Sequence, residues 1–145
     1  MNFRDAEIPD INLFGSLLGF AKLDWCVLSD ANLSHAILLG ADLSQVDLFH
    51  ADLTWSLLRD ATLRGAELTR ANLTDAILTN ADLTNADLTS ADLTSADLTS
   101  AYLKGADLTR ANLTNAKVTV EQLRQAKSLK GAKGLPEELQ PLAEE

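Results

Sequence analysis

Apolar residues return every five positions along this chain. The stretch from Ala81 to Ala101 reads ADLTNADLTSADLTSADLTSA, and its phase holds without an insertion from Met1 to Val120, 24 repeats in all. The third slot of each repeat is Leu, apart from Phe3, Ile8 and Val118. The first is mostly Ala, with Met1, Ile11, Ser16, Cys26, Val46 and Ser56 as departures. A period of five suits neither common element. On a helix five residues turn about 500°, so successive leucines land roughly 140° apart and spread over every side. On a straight strand an odd period sends each leucine to the face opposite the last.

The pattern is resolved if slots one to three are extended and slots four and five turn a corner. Ala and Leu then point to one side and the Asp or Asn between them to the other. Thr, Ser, Asn, Asp and Gly crowd the last two slots, as turn chemistry favours. A chain that turns the same way after every short segment must coil, with leucines inside and polar residues outside. Slot two sets the length of the coil: it becomes Leu17, Ile37, Leu57 and Ile77 at intervals of four repeats. Four segments per coil place those residues on one face, and six coils fit residues 1–120. At ~4.8 Å between hydrogen-bonded neighbours the column is roughly 29 Å tall.

The phrase A(D/N)LXX, as in ADLTS, ANLTD, ANLTN and ADLTR, resembles the pentapeptide-repeat family over residues 1–120. The resemblance implies a right-handed quadrilateral β-helix, so the chain is expected to be an all-β solenoid of about six coils, to which the residues after the repeats add a C-terminal α-helical cap. The opening repeats, FRDAEIPDINLFGSLLGFAKL from Phe3 to Leu23, depart most from the phrase. The family is abundant in cyanobacteria, which suggests a source.

Residues 121–145 read as cap and tail. Thr119 and Gln122 have the spacing of a helix capping box, and Leu123, Ala126 and Leu129 predict the inner face of a helix ending near Gly131. An open coil exposes leucines and unpaired edges, so a lid is needed. From Pro136 to Glu145 the chain reads as an exposed tail. No comparable helix precedes the first repeat.

At 145 residues one domain is the simplest reading. No apolar run approaches 18 residues, so no membrane span is expected. The start MNFRDAEIPD lacks the basic segment and apolar core of a secretion signal, which makes the cytoplasm the expected compartment. Cys26 stands in an inward Ala slot and reads as a small core residue.

Catalytic chemistry needs a nucleophile, base or metal constellation. His35 and His50 are the only histidines and fall at different corners, without metal-ligand spacing, so they read as exposed and idle. No glycine-rich phosphate loop occurs, and the Asn-Leu-Ser/Thr triplets at Asn32, Asn72 and Asn112 are made by the repeat itself. The expectation is a protein that is not an enzyme and needs no cofactor.

Three surface features remain. Residues 1–120 carry 16 acids and 8 bases, and from Ala71 to Ser100 there are five acids and no base. Some pentapeptide-repeat proteins resemble duplex DNA and bind DNA gyrase, so the resemblance implies a DNA-mimic regulator of gyrase or another topoisomerase as the alternative function. The charge is thinner than on a duplex, about one per 3.6 Å against one per 1.7 Å. A net charge of −9 opposes direct nucleic-acid binding.

The second feature is an apolar stripe of Leu17, Ile37, Leu57 and Ile77, with Phe20 and Leu39 beside it and Trp55 at the adjoining corner. Such a patch marks a contact surface for a protein partner or for self-association. The third is a ladder of Glu7, Asp47, Glu67, Asp87 and Asp107, for which the missing calcium-loop pattern predicts no tightly bound metal. The sequence thus reads as a non-enzymatic scaffold for protein–protein interaction.

Overall fold

The computed structural model describes residues 1–144. In every repeat through Lys117 the slot-two residue forms a bridge, and through Asn115 slots four and five form a turn. All bridges are parallel, and from Asn2↔Lys22 to Asp97↔Lys117 they join residues 20 apart, or four repeats. Each side contributes one bridging residue per coil, too short to form a conventional strand.

The backbone of a repeat satisfies itself almost completely, as residues 42–46 illustrate. Asp42 N–H donates up the column to the Ala21 carbonyl at 2.9 Å, while Leu43 and Gln45 N–H donate down it to Thr62 and Arg64 at 2.7 and 2.9 Å. Val46 N–H closes the turn onto the Leu43 carbonyl at 3.2 Å. That leaves Ser44 N–H, which finds the Asp42 Oδ1 at 3.1 Å. Asp and Asn therefore dominate slot two because their side-chain oxygen supplies the acceptor that the backbone lacks, the logic of an Asx turn.

Corners are sharp because every fifth residue from Asp5 to Asn115 lies in the left-handed region, with φ between 55° and 71°. Inside, the Ala and Leu slots from Leu18 to Leu113 make one continuous core. Ser56 is the polar exception: it is fully buried and its Oγ has no partner among the described residues. At the start of the column Phe3, Ile8, Ile11 and Leu13 are only partly buried, because neighbours lie on one side of them alone.

The C-terminal end differs from the expected long helix. The helix α1 spans only Val120–Leu123, four residues. Its capping box is present, with Gln122 N–H donating to Thr119 Oγ1 at 3.2 Å and Thr119 N–H to Gln122 Oε1 at 2.9 Å. Within the repeats a slot-one carbonyl such as Ala81 accepts from the backbone 21 residues on, here Tyr102 N–H. For Ala101 that residue is Gln122, whose backbone the helix has drawn away. Its side-chain Nε2 takes over, donating to the carbonyls of Ala101 and Leu98 at 2.8 Å each.

Beyond α1 the chain rejoins the column instead of continuing as a helix. Ser128 bridges Asp107 and Lys133 bridges Asn112, now 21 residues apart because α1 absorbs one. Leu129, Ala132 and Leu135 extend the apolar lining. The segment after Pro136 is largely exposed but is pinned to the column at Leu139 and Ala143. A 3-10 turn over Glu137–Leu139 buries Leu139 completely. In the helix α2, Pro141–Glu144, the Ala143 carbonyl accepts Gly131 N–H at 2.7 Å. The physical cause is the open end of the last coil, whose leucines must be covered.

Two substitutions test this packing. Gly134 has φ +74 and an added Cβ would lie 2.5 Å from Thr114 N, so Gly134→Ala is expected to cost about 2–3 kcal/mol by chemical denaturation. Ser56→Ala removes an unsatisfied buried hydroxyl and restores the usual slot-one residue, and should raise stability by about 1 kcal/mol in the same assay. Cys26 is fully buried, its Sγ donates to the Phe3 carbonyl at 2.7 Å, and burial pushes its thiol up from the ordinary range. Thiol reagents should therefore leave it unlabelled until denaturant opens the first coils; rapid labelling of the native protein would contradict that placement.

Candidate interaction surface

Four faces run down the column, and three of them keep mostly polar residues in slot two. The fourth begins with Leu17, Ile37, Leu57 and Ile77, bridged in that order, and turns polar only at Asp97 and Lys117. Leu17 is 73% exposed, whereas Ile37, Leu57 and Ile77 are half-buried between neighbouring rungs. At one edge Phe20, 80% exposed, lays its ring over Gly40, where an added Cβ would meet Phe20 Cε1 at 2.7 Å. Leu39 lies beside it on the next rung. At the opposite edge stands Trp55. The structure thus gathers the stripe residues read from the sequence onto one face and its two corners.

Phe14 and His35 complete the second corner and were missed as site residues. The Phe14 ring meets His35 edge-on with centroids 5.3 Å apart, and His35 stacks on Trp55 at 6.4 Å with 6° between the planes. His35 is therefore part of an aromatic column and not an idle histidine. The signal was available, since 35 and 55 occupy the same slot one coil apart, with Phe14 next to that slot one coil earlier. His50 also has a partner, its Nδ1 lying 2.7 Å from Asp30 Oδ1.

The corner conformation makes these aromatics informative. A left-handed φ suits Gly, Asn and Asp, and costs other residues roughly 1–2 kcal/mol. Phe20, His35 and Trp55 hold φ of 55°, 58° and 59° and border the fourth face; Trp25 and His50 sit at the other two corners. Gln45, Arg70, Ser90, Ser95, Ser100 and Arg110 hold the same conformation around the column, so what sets the fourth face apart is the rings that flank it.

The apolar side chains have a second effect. Without Asp or Asn in slot two, the slot-four N–H loses its acceptor. Gly19, Leu39, Arg59 and Thr79 are the residues in question, and none of these four N–H groups has a partner among the described residues. One edge of the stripe therefore presents a row of free donors.

The acidic ladder runs down a different face through Glu7, Val27, Asp47, Glu67, Asp87 and Asp107, and Lys127 Nζ lies 3.1 Å from Asp107 at its lower end. Among the described residues no group of three or more His, Cys, Asp or Glu is arranged to hold a metal ion, and no helix is long and apolar enough to cross a membrane.

The model of the family described as pentapeptide repeats matches residues 26–65, 66–105 and 91–119, with eight copies. The chain belongs to the pentapeptide-repeat family. Among solved structures it resembles the pentapeptide-repeat protein Rfr23 from the cyanobacterium Cyanothece 51142, at 29% identity over 86% of each chain and a TM-score of 0.51. Alr5209 from Nostoc Pcc 7120 is 35% identical, with 77% of this chain and 83% of that one covered and a TM-score of 0.39. QnrB1, a plasmid-mediated fluoroquinolone resistance protein, is 16% identical, with 98% and 83% covered and a TM-score of 0.43. No curated protein matches the sequence significantly. Members of this repeat family are generally structural or interaction scaffolds, and their known structures are right-handed β-helices.

At the lower end of the fourth face the pentapeptide column changes character. Lys117 Nζ lies 3.1 Å from Asp97 Oδ2. The Thr99 side chain and then Lys117 hold the Asp97 carboxyl below the usual range. Asp82 and Asp107 are also lowered: burial works against ionisation, and hydrogen bonds from Thr84 and Thr109, with Arg64 and Lys127 alongside, outweigh it. Because these folded-state values are depressed, the stability they contribute is complete above the unfolded carboxylate value and is lost as pH falls through the folded one. The melting temperature should stay level from pH 7 to about 5 and decline below about 4. Lys117→Met should shrink that decline, as circular dichroism melts across the pH range would record.

Proposed function

We propose that this pentapeptide-repeat protein is a non-enzymatic scaffold that offers its fourth face to another protein surface. The carrying observation is the coincidence at one face of two departures from the repeat. Leu17, Ile37, Leu57 and Ile77 stand in slot two, where the repeat usually carries a side-chain acceptor. Phe20, His35 and Trp55 hold left-handed corners that smaller residues hold more cheaply. A soluble column gains nothing from either, while an interface gains apolar area and aromatic anchors. In this reading residues 1–120 form six coils and residues 121–145 close their lower end. The protein works in the cytoplasm, and neither a cofactor nor direct nucleic-acid contact is involved.

A photo-crosslinking residue in place of Leu39 tests the assignment in an extract of the native cells. A discrete product that disappears with Ile37→Asp, and is absent when the crosslinker replaces Thr62 on another face, is the expected result. Equal products from both positions, or none, would overturn it.

One observation favours a second reading. Five acids fall between Ala71 and Ser100 with no base in that segment, and three of them, Asp75, Asp87 and Asp92, have no ion-pair partner among the described residues, while Arg64 pairs with Asp82 and Lys117 with Asp97. A DNA-mimic regulator of gyrase or another topoisomerase would use such a surface. It predicts loss of gyrase supercoiling on adding the protein, and unchanged supercoiling at high excess would sink it.

A further inference from the structure

Resting on the reading of the fourth face as an interface, we infer that its occupant is a second copy of this chain, packed face to face about a two-fold axis parallel to the column. Charge selects the face. The chain carries a net charge of −9. Two copies meeting through the acidic ladder would set Asp47, Glu67, Asp87 and Asp107 against their own images. The first four rungs of the fourth face have no charge in slot two, so like-charge repulsion is least there.

The two edges of this face also complement one another. One edge carries the free N–H groups of Gly19, Leu39, Arg59 and Thr79, with the Arg59 side chain. The other carries acceptors at the same heights. Thr54 Oγ1, Thr74 Oγ1 and the Asp75 carboxylate have no side-chain partner among the described residues, and His35 adds a ring nitrogen. A two-fold axis along the column keeps each rung at its own height and exchanges the edges, so donors of one copy face acceptors of the other twice over. Arg59 then lies opposite the partner's Trp55, one rung from the partner's Asp75, where a guanidinium can stack on the indole. A two-fold axis across the column would instead set donor edge against donor edge.

The rung spacing fits by construction, since only a stack with the same repeat keeps this match over four rungs. The area is sufficient. Phe14, Phe20 and Trp55 are 61%, 80% and 55% exposed, and offer roughly 300–500 Å² of ring surface per copy. With the four apolar rungs added, two copies reach the ~1,000 Å² of a specific interface.

Light scattering on the purified full chain, at about 100 µM and so well above a micromolar dissociation constant, tests the inference. Ile37→Asp restores the usual slot-two residue, which elsewhere accepts the slot-four N–H, and Trp55→Asn relieves a left-handed corner, so both variants should fold at least as well as the parent. The expected result is twice the 15.6 kDa chain mass for the parent and for the control Thr62→Asp, and a single chain for Ile37→Asp and Trp55→Asn. A parent that is monomeric, or a dimer that survives both variants, overturns the second copy as occupant. If the crosslink from position 39 in native extract nevertheless persists, the interface reading stands with a foreign partner; if it too is absent, both fail. The orientation has its own test. In a Cys26→Ala background, mixed Thr54→Cys and Arg59→Cys proteins should form a disulfide-linked pair, and its absence from a proven dimer overturns the axis along the column.

Discussion

A chain that turns a corner every five residues must find an acceptor for each of five N–H groups, and the column rests on how it does so. Three are met between coils at a separation of four repeats and one closes the corner. The last depends on a side chain, as Ser44 N–H depends on Asp42 Oδ1. The consensus is therefore a division of labour: Leu and Ala fill the interior, and slot two completes the backbone while facing solvent. Every apolar residue in slot two removes an acceptor as well as adding greasy surface. On the fourth face these effects accumulate over four successive rungs, which is why that face differs in kind from the others and not only in hydropathy.

The corners impose the second constraint. A left-handed φ at every fifth residue favours Gly, Asn and Asp, and these hold about half of the corners in either half of the column. Near the stripe the chain keeps Phe20, His35 and Trp55 in the same conformation. The rings are held by each other and by a small neighbour: His35 stacks on Trp55, and Phe20 has room because Gly40 lies beneath it. Regular backbone and irregular surface are thus compatible, because the outward slots are free of packing demands that the inward slots cannot escape.

The lower end shows how a periodic fold stops. Gln122 hands the Ala101 carbonyl a side-chain amide where the helix has removed a backbone one, and the chain returns to the ladder one residue out of step at Ser128 and Lys133. Leu139 then reaches back to full burial. Closure is achieved by continuing the column's own hydrogen bonding and lining it with leucines, with short helical turns absorbing the mismatch.

The sequence by itself determined the coil. A fixed period of five, Leu and Ala in two slots, and apolar slot-two residues four repeats apart dictate which residues share a face, because each repeat is a local unit with one way to bury its side chains. It also placed Leu17, Ile37, Leu57 and Ile77 together, with Phe20, Leu39 and Trp55 at the edges. What only the tertiary structure decided lies where periodicity ends or where coils touch. The spacing of Leu123, Ala126 and Leu129 looked helical, yet the pull of an unfinished ladder at Asp107 and Asn112 outweighed a short helix with little to bury. The contact of Phe14 with His35, and the unpaired N–H groups beside the stripe, depend on distances across coils and on an acceptor supplied within each repeat, which a one-dimensional pattern does not display.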